Sequence, residues 1–187
     1  MKNKSEIPAL LKGKGLPQYS EINPSQINKY IPILLKELTS KLTLLEKVLS
    51  EKLQKKHQLS WEEVMAPLQE IGESLRWSWG TISHLNGVCN SPELREAFVK
   101  QQPEVVRFGN SLGQSKVIYE SLLNLKNLNS SVLNQTQIRI LETELMSMKH
   151  RGVGLDDSSK KVFNAQSERL AELSTIFSNN VLDATKE

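Results

Sequence analysis

NPSQINKYIPILLKELTSKLTLLEKVLSEKL, residues 23–53, is the stretch whose periodicity decides the fold. Its apolar side chains Ile27, Tyr30, Ile31, Leu34, Leu35, Leu38, Leu42, Leu45, Leu49 and Leu53 recur at spacings of three and four, with Lys and Glu between them. That repeat places the apolar set on one face of a helix, and a strand would need strict alternation instead. Asn23 can cap the helix, Pro24 suits the first helical position, and Gln26 is placed to close a capping box. Pro32 lies inside and must either kink the helix or split off a short first turn.

Upstream, residues 1–22 read as an irregular lead-in, punctuated by Pro8, Gly13, Gly15 and Pro17. Downstream, the same helical signals repeat. Ser60 and Glu63 form a capping box for a second helix carrying Val64, Met65, Leu68, Ile71, Leu75 and Ile82, bent by Pro67. Ser91-Pro92-Glu93 opens a third, with Leu94, Ala97, Phe98, Val105, Val106 and Leu112 and a further kink at Pro103. A fourth starts near Ser115 and presents Ile118, Tyr119, Leu122 and Leu125. The Asn-rich stretch 124–134 reads as a loop. A fifth runs from about Gln135 through Ile138, Leu141, Leu145 and Met148 to a stop near Gly152 and Gly154. A sixth starts around Asp156-Asp157-Ser158 and carries Val162, Phe163, Leu170, Leu173, Ile176, Phe177 and Val181. No segment alternates as a strand does. The expectation is an all-α chain of roughly six helices, several long and Pro-kinked, packed as an irregular bundle over residues 23–187. Its Leu stripes are read as core.

Composition narrows the function classes. In 187 residues, 38% are hydrophobic and 24% charged, which is a globular composition with enough length for a core. The 24 Lys and Arg are interspersed with 21 Asp and Glu, giving a formal net charge of +3 and no dense basic stripe for nucleic acid. The longest apolar run near the N-terminus, Ile7 to Leu11, is interrupted by Pro8 and is too short for a signal peptide; no later run approaches a membrane span. A cytoplasmic location is the expectation. The single cysteine, Cys89, excludes an internal disulfide and is read as a small buried apolar residue rather than a catalytic thiol.

The search for chemistry returns no catalytic residue and no metal ligand. His57, His84 and His150 are the only histidines; none lies four residues from another and none precedes a Glu, so the His-Glu-x-x-His arrangement of a zinc peptidase is missing. His84 and Cys89 are five apart, which does not bring two ligands to one metal on a helix. No Gly-rich phosphate loop or Gly-x-Ser-x-Gly elbow occurs. Glu62 and Glu63 are explained by capping and the helix dipole. His84, among Trp79, Asn86 and Asn90, is read as a hydrogen-bonded histidine in a packed helix.

Several segments nevertheless resemble one family. Leu16-Pro17-Gln18-Tyr19-Ser20-Glu21-Ile22-Asn23-Pro24, Trp61 with Pro67-Leu68, Ile82-Ser83-His84-Leu85-Asn86-Gly87-Val88, Asn90-Ser91-Pro92-Glu93-Leu94-Arg95, Gly152-Val153-Gly154-Leu155 and Leu170 to Thr185 are similar, in order, to the N-terminal part of the oligopeptidase A/thimet oligopeptidase zinc metallopeptidases. The resemblance implies a helical channel wall that restricts substrates to short, unfolded peptides. It places zinc, the general base and the substrate-clamping residues in a C-terminal part beyond residue 187, so zinc is expected there and no cofactor in this chain. The chain is then inactive alone and partners that catalytic part, or binds short peptides. The alternative is a free-standing helical peptide- or protein-binding module derived from the family. Residues 182–187 contain no Gly or Pro, compatible with a chain cut in or just after a helix. On that reading Phe177, Val181 and Leu182 lie exposed and promote self-association. Which residues face peptide is not given by the sequence.

Overall fold

Each of the six α-helices among the described residues starts beside a side chain that accepts a hydrogen bond from its unpaired N–H groups. The computed structural model describes residues 7–127 and 132–185. Among these, short 3-10 turns at Ala9–Leu11 and Tyr19–Glu21 precede six α-helices: α1 (Pro24–Gln54), α2 (Trp61–Val88), α3 (Pro92–Gly113), α4 (Lys116–Lys126), α5 (Gln135–His150) and α6 (Asp157–Ala184). No strand occurs among the described residues, and the chain is all-α.

The caps follow the sequence closely. Asn23 Oδ1 accepts from the Gln26 N–H at 3.1 Å, although the return bond from Gln26 expected of a full box is not made. At α2 both halves form: the Glu63 N–H donates to Ser60 Oγ at 3.3 Å and the Ser60 N–H to Glu63 Oε2 at 2.6 Å. Ser91, Ser115 and Asp156 accept from the N–H groups of Leu94, Ile118 and Ser159. Asn134 and Gln137 close a box at α5 that the sequence reading did not identify. Pro32, Pro67 and Pro103 all lie inside continuous helices, so Pro32 does not split off a first turn. Each proline removes one i→i−4 bond, and the flanking turns hold the helix through the gap. Helix α4 runs to Lys126, shortening the Asn-rich loop expected from residue 124; residues 128–131 of that loop lie outside the described residues, as do residues 1–6 and 186–187.

The chain forms two compact units, whose boundaries fall inside α1, α2, α3 and α6. The first comprises Met1–Leu38, Ile71–Val106 and Glu168–Glu187. Its core holds Leu10, Ile27, Ile31, Leu38, Ile71 and Ile82, with Trp79 stacked on Phe98 at 4.6 Å between ring centroids. The described part of the lead-in is packed here rather than trailing. Leu10 is fully buried, Ser78 Oγ donates to its carbonyl at 2.6 Å, and Trp77 Nε1 donates to the Gly15 carbonyl at 3.1 Å.

The second unit comprises Thr39–Glu70 and Arg107–Ser167. Leu42, Leu45, Leu49, Val64 and Met65 are buried there with Ile118, Leu122, Leu125, Leu141, Leu145 and Met148. Helix α4 packs against α5, and Lys126 pairs with Glu142 at 3.1 Å. The Leu59 N–H donates to Asn124 Oδ1 at 3.1 Å, which ties the start of α2 to α4.

Two helix ends use left-handed residues. After α5, Gly152 (φ 83°) lets its own N–H reach the Lys149 carbonyl and the Val153 N–H reach Met148, a Schellman closure. A Cβ on Gly152 would stand 2.6 Å from Leu155 Cδ1. After α1 the same pair of bonds is made around Lys56 (φ 54°), which carries a Cβ where glycine is favoured. Gly152→Ala is therefore expected to destabilise the chain by about 1–2 kcal/mol, and Lys56→Gly to stabilise it by up to about 1 kcal/mol. Thermal unfolding followed by circular dichroism checks both, each kcal/mol moving Tm by roughly 2–4 °C; equal shifts of one sign would contradict the assignment of these ends.

Candidate functional site

The titratable groups singled out in the sequence do not converge. His57, just beyond the end of α1, is exposed, and its Nε2 lies 3.6 Å from Glu63 Oε1. That carboxylate is already engaged, accepting from Lys52 Nζ and from the Ser60 N–H. The Lys52 bond first, then the Ser60 N–H, hold the Glu63 carboxyl at about 2, against partial desolvation that acts the other way. This is a capping carboxylate, not an acid–base pair. His150 ends α5 on an exposed surface, shared with Arg139, Glu142 and Met146.

Two expectations need correction. His84 is exposed, and its ring meets that of Tyr19 at 5.7 Å with the planes tilted by 51°, so it is not a hydrogen-bonded histidine inside a packed helix. The buried positions nearby are Ile82, Leu85 and Asn86, and the 3.6-residue period turns His84 the other way. Cys89 is likewise exposed, not a buried apolar residue. It lies one residue past the last turn of α2, its N–H bonded to the Leu85 carbonyl at 2.8 Å, where the chain turns toward Ser91 at the surface. Among the described residues no three His, Cys, Asp or Glu side chains stand close enough to hold a metal ion. These described residues do not fit a zinc site.

The most unusual surface is that of α6, which has no buried residue. In the first unit this helix is fastened to α3 by polar groups. Arg95 Nη1 and Nη2 donate to both carboxylate oxygens of Asp183 at 2.7 and 2.5 Å. Gln102 Nε2 donates to the Ala171 carbonyl at 3.3 Å and to Thr175 Oγ1 at 2.9 Å, and Thr175 Oγ1 donates back to Gln102 Oε1 at 3.1 Å. Residues 171, 175, 179 and 183 recur every four positions and so share one face. Asn179 Oδ1 is buried there without a hydrogen-bond partner. The Asp183 pair raises the Arg95 pKa, and Arg95 also donates to Asn90 Oδ1.

At 100° per residue, the face away from this seam carries Leu170 and Leu173, with Ile176 at its edge toward the seam, then Phe177 and Val181. Their exposures are 67, 46, 45, 70 and 47%. No residue of α6 is buried. Phe177 and Val181 are thus exposed, as the sequence suggested, whereas Leu182 is half-buried. Periodicity shows that a helix has an apolar face; it does not show that this face has a neighbour. That is why Leu170 and Leu173 read as core with the other Leu stripes, although Phe177, Val181 and Leu182 are expected to lie exposed.

Comparison with known proteins places these features. Residues 31–160 match the family described as Neurolysin/Thimet oligopeptidase, N-terminal domain. The chain is 35% identical over 179 residues to the Organellar oligopeptidase A, chloroplastic/mitochondrial of Arabidopsis thaliana, which covers 95% of this chain and 22% of the relative. It is 34% identical over 179 residues to the Probable cytosolic oligopeptidase A of the same plant, covering 95% and 24%. Against Oligopeptidase A of Haemophilus influenzae the identity is 33% over 177 residues, covering 94% and 25%. The chain spans about a quarter of the length of the curated relatives it matches.

Two outcomes test the geometry. Glu63→Ala is expected to cost about 1 kcal/mol at neutral pH through loss of the capping box. An unperturbed Glu titrates at 4.5 and the folded Glu63 near 2, so its contribution is present above 4.5 and disappears as the pH falls from 4.5 toward 2. Urea unfolding across that window should show the parent and variant converging. Separately, Arg95→Gln is expected to speed amide exchange in the last turn of α6 without altering that of α4 or α5. Salt of about 1 M, where screening acts within about 3 Å, should bring the parent toward the variant. Unchanged exchange in that turn would show that the ion pair does not hold α6.

Proposed function

The chain belongs to the neurolysin/thimet oligopeptidase family, as its N-terminal domain, and from this we propose that it serves a zinc oligopeptidase that degrades short peptides. In this reading the helices form part of the wall of a peptide channel. The single observation that carries it is the family match over residues 31–160, in a chain aligned along 94–95% of its length with oligopeptidase A proteins. The hydrolytic step, with its metal, is assigned to a catalytic C-terminal part, the domain's partner, and no step of it to residues of this chain. The exposed face of α6 is consistent with a domain that works against further protein. We place the protein in the cytoplasm, supported by the relative named as cytosolic and by a lone exposed thiol, which suits a reducing compartment. No helix among the described residues is long and apolar enough to cross a membrane.

The experiment is a chimera in which this chain replaces the aligned 177 residues of Haemophilus influenzae oligopeptidase A. The chimera is expected to cleave short unfolded peptides, to spare folded proteins, and to lose activity to a chelator. The chain alone is expected to cleave neither. Chelator-sensitive cleavage by the purified chain alone would overturn the division of labour, and an inactive but folded chimera would overturn the role in peptide degradation.

A further inference from the structure

We propose that the outward face of α6, formed by Leu170, Leu173, Phe177 and Val181 with Ile176 at its edge, is the surface on which the remaining part of an oligopeptidase A-type chain docks with an apolar helix face. This rests on the functional reading above and names the residues of contact, which neither the family match nor the sequence assigns.

The first argument is the inverted attachment of the helix. An amphipathic helix resting on its own domain turns its apolar stripe toward that domain. Here α6 is held to α3 through Arg95–Asp183 and Gln102–Thr175, and the stripe faces away. A single exposed Leu is ordinary on a protein surface. Four exposed apolar side chains on one face within 12 residues, with Ile176 exposed at its edge, form a continuous patch, and such patches mark interaction surfaces.

The second argument is its shape. Residues 170, 173, 177 and 181 are spaced by three, four and four, with Ile176 beside them, so they run along one line of the helix for roughly 16 Å. Such a line packs as ridges into the grooves of another helix at about 8–10 Å between axes. The Arg169–Glu172 ion pair at 2.7 Å, with Ser174 and Asn180, borders the stripe with polar groups, the arrangement of an apolar patch with a polar rim.

The occupant follows from length. The chain matches 22–25% of each oligopeptidase A relative, so most of each relative is further protein that must pack against this domain somewhere. The α6 stripe is the longest uninterrupted row of exposed large apolar side chains on any described helix, and it is an unattached face rather than a seam already filled.

Carbene footprinting tests this on two proteins: the chain at a concentration where sizing shows a monomer, and the chimera with the Haemophilus influenzae enzyme. Labelling of residues 170–181 should fall about fivefold or more in the chimera. Leu173→Asp with Phe177→Asp should leave the melting of the isolated chain unchanged, yet lower peptidase activity of the chimera about tenfold or more. An active chimera whose stripe stays fully labelled would sink the docking face while leaving the proposed function standing. A protected stripe in an inactive chimera would do the reverse. A concentration-dependent dimer of the chain that covers the stripe, with no protection in the chimera, would assign the face to a second copy and overturn the proposal. Should the chimera not fold, the intact Haemophilus influenzae enzyme decides: a labelled helix at the positions aligned with 170–181 refutes the proposal, and a protected one sustains it.

Discussion

The apolar stripe of α1 is the constraint on which the remaining packing depends. Ile27, Ile31, Leu34, Leu35 and Leu38 are buried in the first unit, and Leu42, Leu45 and Leu49 in the second. Each such side chain contributes roughly 1.5–3 kcal/mol on leaving water. Because the residues succeed one another at spacings of three and four, α1 contributes a buried apolar stripe to the core of each unit. A polar substitution at Leu38 or Leu42 would therefore cost more than any surface change, since a buried group would lose its solvation without gaining a partner.

The polar groups of the chain do a different kind of work. Those of Ser60–Glu63, Ser91, Ser115, Asn134–Gln137 and Asp156 answer the unpaired N–H groups at helix starts. In the second unit Gln114 spans from the Arg151 carbonyl to Asn164. In the first, Arg95, Gln102, Thr175 and Asp183 fasten α6 to α3. None of these groups is gathered into a site with a nucleophile, a base and a stabilising donor. Asn179 Oδ1 is buried without a hydrogen bond in the α3–α6 seam, a local cost to the fold.

Much of this was legible in the residues themselves, and for local reasons. Helix propensity, the 3.6-residue period and cap chemistry act within a few positions, so all-α character, six helices and nearly every start could be read directly. The lone Cys, the separated histidines and the lack of a ligand spacing likewise bounded the chemistry. The family resemblance rested on ordered motifs, and the match over residues 31–160 agrees with it.

What the tertiary structure decided is which face of each element has a neighbour. Cys89 and His84 are exposed because a helix end and a helix edge happen to meet solvent, and no local rule specifies that. The described part of the lead-in, irregular by its Pro and Gly content, is anchored because Leu10 is buried and Ser78 bonds its carbonyl. Pro32 does not divide α1, since buried residues on both sides hold the helix through the missing bond. The stripe of α6 looks like any other in one dimension, yet it is the face left outside. Burial depends on partners distant in sequence, and periodicity carries no information about them.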